Sequence, residues 1–137
     1  MALPGPIALD AEETRRLLSV RVVGRLAFTD GEGRLQVLPV NYRSVGDDIY
    51  WLTQAHGLLS RATTADQVVF EVDYHDDLEQ TGWSILVRGE VEVVEDEDVR
   101  ARLTDIGLRP WASGDRTTLV RLAARETSGR RVRLGVT

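Results

Sequence analysis

Apolar and polar residues alternate along most of this chain with the period of two that a half-buried strand requires. Over 22–28 one face collects Val22, Gly24, Leu26 and Phe28. After Asp30, Gly31 and Gly33, which suit a hairpin turn, residues 35–42 place Leu35, Val37, Pro39 and Asn41 on one side and Gln36, Leu38, Val40 and Tyr42 on the other. Pro39 has no N–H to give a ladder, so it belongs at a bulge or an unpaired edge. Further strands are predicted over 49–53, 68–74, 82–94 (the longest run) and 117–126, with 128–136 as a turn and short tail. Two stretches have helical spacing instead. Over 10–20, Asp10 and Glu13 resemble a capping box, Glu12 stands one turn before Arg16, and Leu17 and Leu18 pack the helix down. Over 96–106, three acidic residues open the first turn, Val99, Leu103 and Ile106 share a face, and Gly107 is the stop. The shorter run 57–65 reads as a small helix between strands, and residues 1–8, with Pro4, Gly5 and Pro6, as an extended arm. Six or so mostly antiparallel strands with short helices predict a mainly β (α+β) fold, a small barrel occupying 1–137 as a single domain.

Composition narrows the partners. With 22 acidic residues against 17 basic ones the net charge is -5, and no arginine-dense block stands out, so a duplex nucleic acid is excluded as the expected ligand. The chain has no cysteine, which removes disulfides, thiolate nucleophiles and cysteine-ligated metals. The opening residues lack both a basic start and a long apolar run, so neither a signal peptide nor a membrane span is expected and the default location is the cytoplasm. No P-loop, no G-x-S-x-G elbow and no dinucleotide fingerprint is present, and His56 and His75 have no metal-ligand spacing.

Three constellations invite chemistry. Residues 74–77, Tyr-His-Asp-Asp, offer oxygen ligands for a hard cation, or a solvated loop after a strand. Glu71 and Asp73 alternate with Val68, Phe70 and Val72, so both carboxylates lie on the polar face, as an acid/base pair or as an ordinary half-exposed strand. Asn41, next to Tyr42 in a strand that otherwise reads as buried, needs a hydrogen-bond partner, since an unpaired buried amide costs about 1 to 3 kcal/mol.

The segments VGRLAF at 23–28, VLPVNY at 37–42, FEVD at 70–73, GWSILVRG at 82–89, RPW at 109–111 and GRRV at 129–132 follow one another in an order that resembles the pyridoxamine 5'-phosphate oxidase-like, FMN-binding split-barrel proteins, in their short actinobacterial-type subgroup. The resemblance spans 22–131 and implies a split β-barrel, a homodimer, and two flavin sites at the subunit interface, each lined by both chains. It implies that Pro39, Val40 and Asn41 face the edge of the isoalloxazine ring. Thr53, His56, Gly57, Ser60 and Arg61 would form the phosphate end, where a hydroxyl, open backbone and amides at a helix start favour an anion. Plain capping by Thr53 is the competing account. Trp83, Trp111 and Arg131 match positions near the flavin, with core packing as the alternative for Trp83. Relatives usually carry a lysine two residues after the glycine equivalent to Gly57. This chain has Leu59 there, so Arg61, His56 or another arginine has to take that charge.

The implied activity is that of an FMN-dependent oxidoreductase acting on a small molecule, with no obligatory catalytic side chain. The deazaflavin F420 is the alternative cofactor, its acidic tail meeting Arg15, Arg16 and Arg21, and a non-catalytic ligand-binding dimer that has lost flavin affinity is the third reading. Oxidation of pyridoxamine phosphate itself is not expected, because the chain is short for that enzyme and its substrate-phosphate residues find no counterparts.

Overall fold

The computed structural model describes residues 6–54, 57, 61–62, 67–110 and 118–133. In chain order the elements are β1 (Ile7–Ala8), α1 (Ala11–Val20), β2 (Val23–Thr29), β3 (Leu35–Asn41), β4 (Arg43–Val45), β5 (Asp48–Thr53), β6 (Val68–Asp76), β7 (Thr81–Val94), α2 (Glu97–Asp105) and β8 (Thr118–Arg133). The strands form one antiparallel sheet in the order β3–β2–β6–β7–β8–β5–β4, and β8 is long enough to pair with β5 along its first half and with β1 near its end. The two ends of that order, β3 and β4, are consecutive in sequence and separated by Tyr42 alone, yet no ladder joins them. The sheet therefore curls into a barrel whose last gap is crossed by covalent chain, which is a split barrel.

Period-two alternation fills the interior. Leu26 and Phe28, Val40, Ile49 and Trp51, Val68, Phe70 and Val72, Ile85 and Val87, and Val120 and Leu122 share one cluster with Tyr42 and with Leu17 and Leu18 of α1. Each such side chain contributes roughly 1.5–3 kcal/mol by leaving water. The opposite face of β5 and β8 carries Tyr50 and Leu119, which α2 covers with Leu103 together with Leu108 and Val94. The β2–β3 turn is fastened by Asp30, whose carboxylate accepts from the Glu32 and Arg34 amides at 2.9 and 3.0 Å and from Gln36 Nε2 at 2.9 Å. The Gln36 amide and then the Arg34 N–H hold that carboxyl below the usual range.

Several expectations change. The strand predicted over 117–126 does not turn at Ser128 and Gly129 but continues as β8 to Arg133. Gly129 serves packing rather than a turn, since a Cβ there would lie 2.9 Å from Leu9 Cδ1 and 3.3 Å from Thr14 Oγ1. Among the described residues the sheet has eight strands against the six or so expected, the additions being β1 and β4, too short to leave a periodic trace. At α1 the Glu13 amide donates to Asp10 Oδ1 at 2.8 Å as the capping pattern requires, but Arg16 pairs with Glu13 at 3.5 Å instead of with Glu12. Most of the helix expected over 57–65 lies outside the described residues; within it, Ala62 is buried in the barrel core.

Candidate functional site

β5 delivers Thr53 to the end of the sheet, opposite the first residue of β8, with the residue only 1% exposed. Its hydroxyl makes one long contact, 3.5 Å to the Gln54 carbonyl. The Gly57 amide donates to that same carbonyl at 3.1 Å, so this N–H works inside the turn rather than standing open as expected. A Cβ at Gly57 would lie 3.7 Å from Thr53 Oγ1, so the glycine keeps the approach to that hydroxyl clear. Arg61 is exposed, and Ala62 beside it anchors the segment. His56, Ser60 and Trp111, predicted for the same site, lie outside the described residues, as does Leu59.

At the other predicted wall, Pro39 is exposed on the edge strand β3, as a residue without an N–H should be, while Val40 turns into the core. Asn41 finds its partner in a neighbour, Nδ2 donating to the Arg109 carbonyl at 2.7 Å. Beside it stands a residue the sequence reading missed. Arg43 donates from Nε to the Ile106 carbonyl at 3.1 Å, from Nη2 to the Gly107 carbonyl at 2.9 Å, and from Nη1 to the Tyr42 carbonyl at 2.7 Å and Asn41 Oδ1 at 3.4 Å. The last carbonyls of a helix have no partner within it, and a planar five-donor fork meets that need. The sequence signal was Gly107, whose φ of +97° marks the helix end, together with an arginine in phase with Asn41 on the bent strand.

Trp83 is 8% exposed and packs in the barrel cluster, with Tyr74 and Arg131 as its register partners on β6 and β8. The Arg131 guanidinium pairs with Glu13 of α1. Trp83 and Arg131 stand where β7 starts and β8 ends, whereas Thr53 adjoins the start of β8. Within one chain the predicted residues thus fall into separate groups at opposite ends of the longest ladder.

The remaining candidates are accounted for locally. Arg25 of β2 lies 3.0 Å from both Glu71 and Asp73, so the two carboxylates share one cation. Burial raises the Glu71 pKa against the pull of Arg25, and Asp73 adds to the rise. His75 sits 3.2 Å from Asp77, Asp76 accepts from the Leu78 and Glu79 amides, and no group of three or more metal-ligating side chains occurs among the described residues. Two cavities of about 300 and 290 Å³ open among those residues, one lined by α1 and the bulged part of β8, the other under the β6–β7 turn. Neither touches Asn41, Thr53, Trp83 or Arg131. No helix among the described residues is long and apolar enough to cross a membrane.

A family model described as pyridoxamine 5'-phosphate oxidase matches residues 10–131, from the cap of α1 to within two residues of the end of β8. The chain belongs to the pyridoxamine 5'-phosphate oxidase family. The Mycobacterium tuberculosis protein Rv0080, described as uncharacterized, is 30% identical over 131 residues, covering 92% of this chain and 85% of that one. Among solved structures, the FAD binding protein from Mycobacterium smegmatis superposes with a TM-score of 0.77 at 30% identity, covering 93% of this chain and 98% of that one. A candidate pyridoxamine 5'-phosphate oxidase from Corynebacterium glutamicum gives 0.77 at 26% identity, with 99% of both chains covered. The interval matched to the pyridoxamine 5'-phosphate oxidase family takes in every predicted site residue.

Proposed function

We propose that the chain binds a flavin, with FMN as the first choice, at a site completed by a second copy of itself, and acts as a flavin-dependent oxidoreductase on a small molecule. The likeness to a flavin-binding protein over nearly the whole of both chains carries this reading. Geometry supports the sharing of the site, because Trp83 and Arg131 stand at the opposite end of the β7–β8 ladder from Thr53 within one chain. When bound, the flavin supplies the redox chemistry. The chain supplies the Thr53 hydroxyl and the Arg61 guanidinium for the phosphate, the exposed backbone edge of β3 for the ring, and Asn41 as the residue that fixes the Arg109 carbonyl beside that edge.

A second reading, FAD, is favoured by the Mycobacterium smegmatis neighbour and by Leu59. A terminal phosphate carries nearly two negative charges and calls for two cationic partners, whereas each phosphate of a dinucleotide carries one. F420 gains no support from the first helix, where Arg15 pairs with Asp47 at 2.9 Å, Arg16 with Glu13, and Arg21 stacks 4.9 Å from the Tyr74 ring centre. Mass spectrometry of the cofactor released on denaturation, followed by fluorescence titration with FMN, FAD and F420, decides among them. Arg61→Ala is expected to weaken flavin binding about tenfold, the effect of losing one charge-assisted pair worth roughly 1.4 kcal/mol. A colourless protein that binds none of the three would leave the ligand-binding dimer without flavin as the correct reading.

A further inference from the structure

The two strands that flank β8 on the side away from β7 leave a gap between them. β5 pairs with β8 as far as Leu122, and pairing with β1 begins at Arg130, so residues 123–129 have no strand on that side among the described residues. Gly129 accepts from the Leu9 amide there at 2.9 Å. Alternate residues of an antiparallel strand turn their peptide groups to the same side, so Thr127 aims its N–H and C=O into the gap as well. Along the same stretch the β7–β8 ladder bulges: Arg88 faces Glu126 and Gly89 faces Ala124, which makes Arg125 the inserted residue. The cavity of about 300 Å³ is lined by Arg125 and Thr127, by Leu9, Ala11 and Thr14 around the start of α1, and by Asp47 from the β4–β5 turn. Its volume stands at the lower end of the ~300–1,000 Å³ of small-molecule sites.

We infer that this cavity binds a short zwitterionic peptide of dipeptide size, its amide on the open edge of β8, its carboxylate on Arg125 and its ammonium on Asp47. A strand edge without a neighbour takes up a peptide group through its own N–H and C=O, as it would an added strand. One cation and one anion line the cavity, so a lone anion would meet Asp47 and a lone cation Arg125, whereas a zwitterion answers both. Each now holds an exposed ion pair, Arg125 with Glu90 at 2.7 Å and Asp47 with Arg15 at 2.9 Å. Such pairs contribute little, so exchanging them for a ligand's charges costs little. Thr14, 5% exposed, donates its hydroxyl to the Asp10 carbonyl at 2.7 Å and keeps its lone pairs for a ligand donor, while Leu9 and Ala11 suit a small alkyl side chain. None of the lining residues is among those proposed for the flavin, so this is a second site and the inference does not depend on that reading.

Titration of the full chain with L-alanyl-L-alanine, followed by amide NMR, tests it. Saturable shifts are expected at Thr14, Asp47 and Thr127. The N-acetyl form and the C-terminal amide of the same dipeptide should each bind about tenfold more weakly, for the one charge-assisted pair each lacks. Arg125→Ala should weaken the free dipeptide about tenfold yet leave the C-terminal amide unchanged, and Asp47→Ala should weaken the free dipeptide but not the N-acetyl form. Should either variant fail to fold, the blocked ligands decide by themselves. No saturable shift up to ~10 mM, shifts confined to residues away from the cavity, or free and blocked dipeptides binding alike overturns the inference. Flavin content is held the same in every arm, so the flavin reading stands or falls separately.

Discussion

Asn41 and Arg43 illustrate how far a single side chain is readable from sequence. That Asn41 must have a partner follows from burial and hydrogen-bond energetics alone. Which partner does not, because the Arg109 carbonyl lies 68 positions away and only the packing of α2 brings it near. Arg43 gave less warning still, since an arginine between two turns reads as solvated until the helix end it serves is known. With four hydrogen bonds from one guanidinium, Arg43→Ala is expected to lower unfolding free energy by roughly 2–3 kcal/mol in urea denaturation. Arg43→Lys should recover less than half of that, because an ammonium cannot span carbonyls on two sides of a plane. Full recovery by lysine would mean that charge, not the fork, holds the turn.

Among the elements, those with a long alternating or helical pattern were legible. β2, β3, β6 and β7 fall within a residue or two of their predicted spans, and α1 and α2 are capped by Asp10 and Asp96. β1 and β4 were not, being two and three residues long, and the end of β8 was misread because glycine signals a turn and a close approach with the same letter. Gly89 is a second packing glycine. It sits beside the bulge in the β7–β8 ladder, where Arg88 faces Glu126 and Gly89 faces Ala124, and the Ala124 amide is held by Asp48 Oδ1 at 2.9 Å. A Cβ on Gly89 would overlap the Ala123 carbonyl oxygen and lie 2.9 Å from its carbon. Gly89→Ala should therefore cost roughly 1–3 kcal/mol, at the upper end because backbone must move. Gly31→Ala, with nothing within 4 Å of the added carbon, should stay within about 0.5 kcal/mol. Equal thermal midpoints for the two variants would refute the overlap.

For the molecule as a whole, alternation and turn chemistry were enough to predict a small antiparallel barrel, and the family motifs narrowed it to a split one. The proposed site was less legible, because the residues expected to line it stand apart in one chain: Trp83 and Arg131 lie at the far end of the ladder from Thr53, a separation that no local spacing in the sequence encodes. The joint at Tyr42 sets how this barrel responds to load. Along every other line the sheet resists widening through a row of backbone hydrogen bonds, but between β3 and β4 only one residue of chain spans the opening. Tyr42 is fully buried there, its ring edge-on to Phe70 at 4.7 Å and its hydroxyl donating to the Leu18 carbonyl at 2.7 Å, and burial pushes its pKa upward so that the proton stays in place at physiological pH. Tyr42→Phe, which keeps the ring and strands the Leu18 carbonyl, should cost about 1–3 kcal/mol and show its largest rise in amide exchange in α1, β3 and β4, with the middle of β6 and β7 little changed. Acting as a wedge tied to the helix above it, one phenol does for this rim what a ladder does elsewhere, so the rim is the first place the shell would yield.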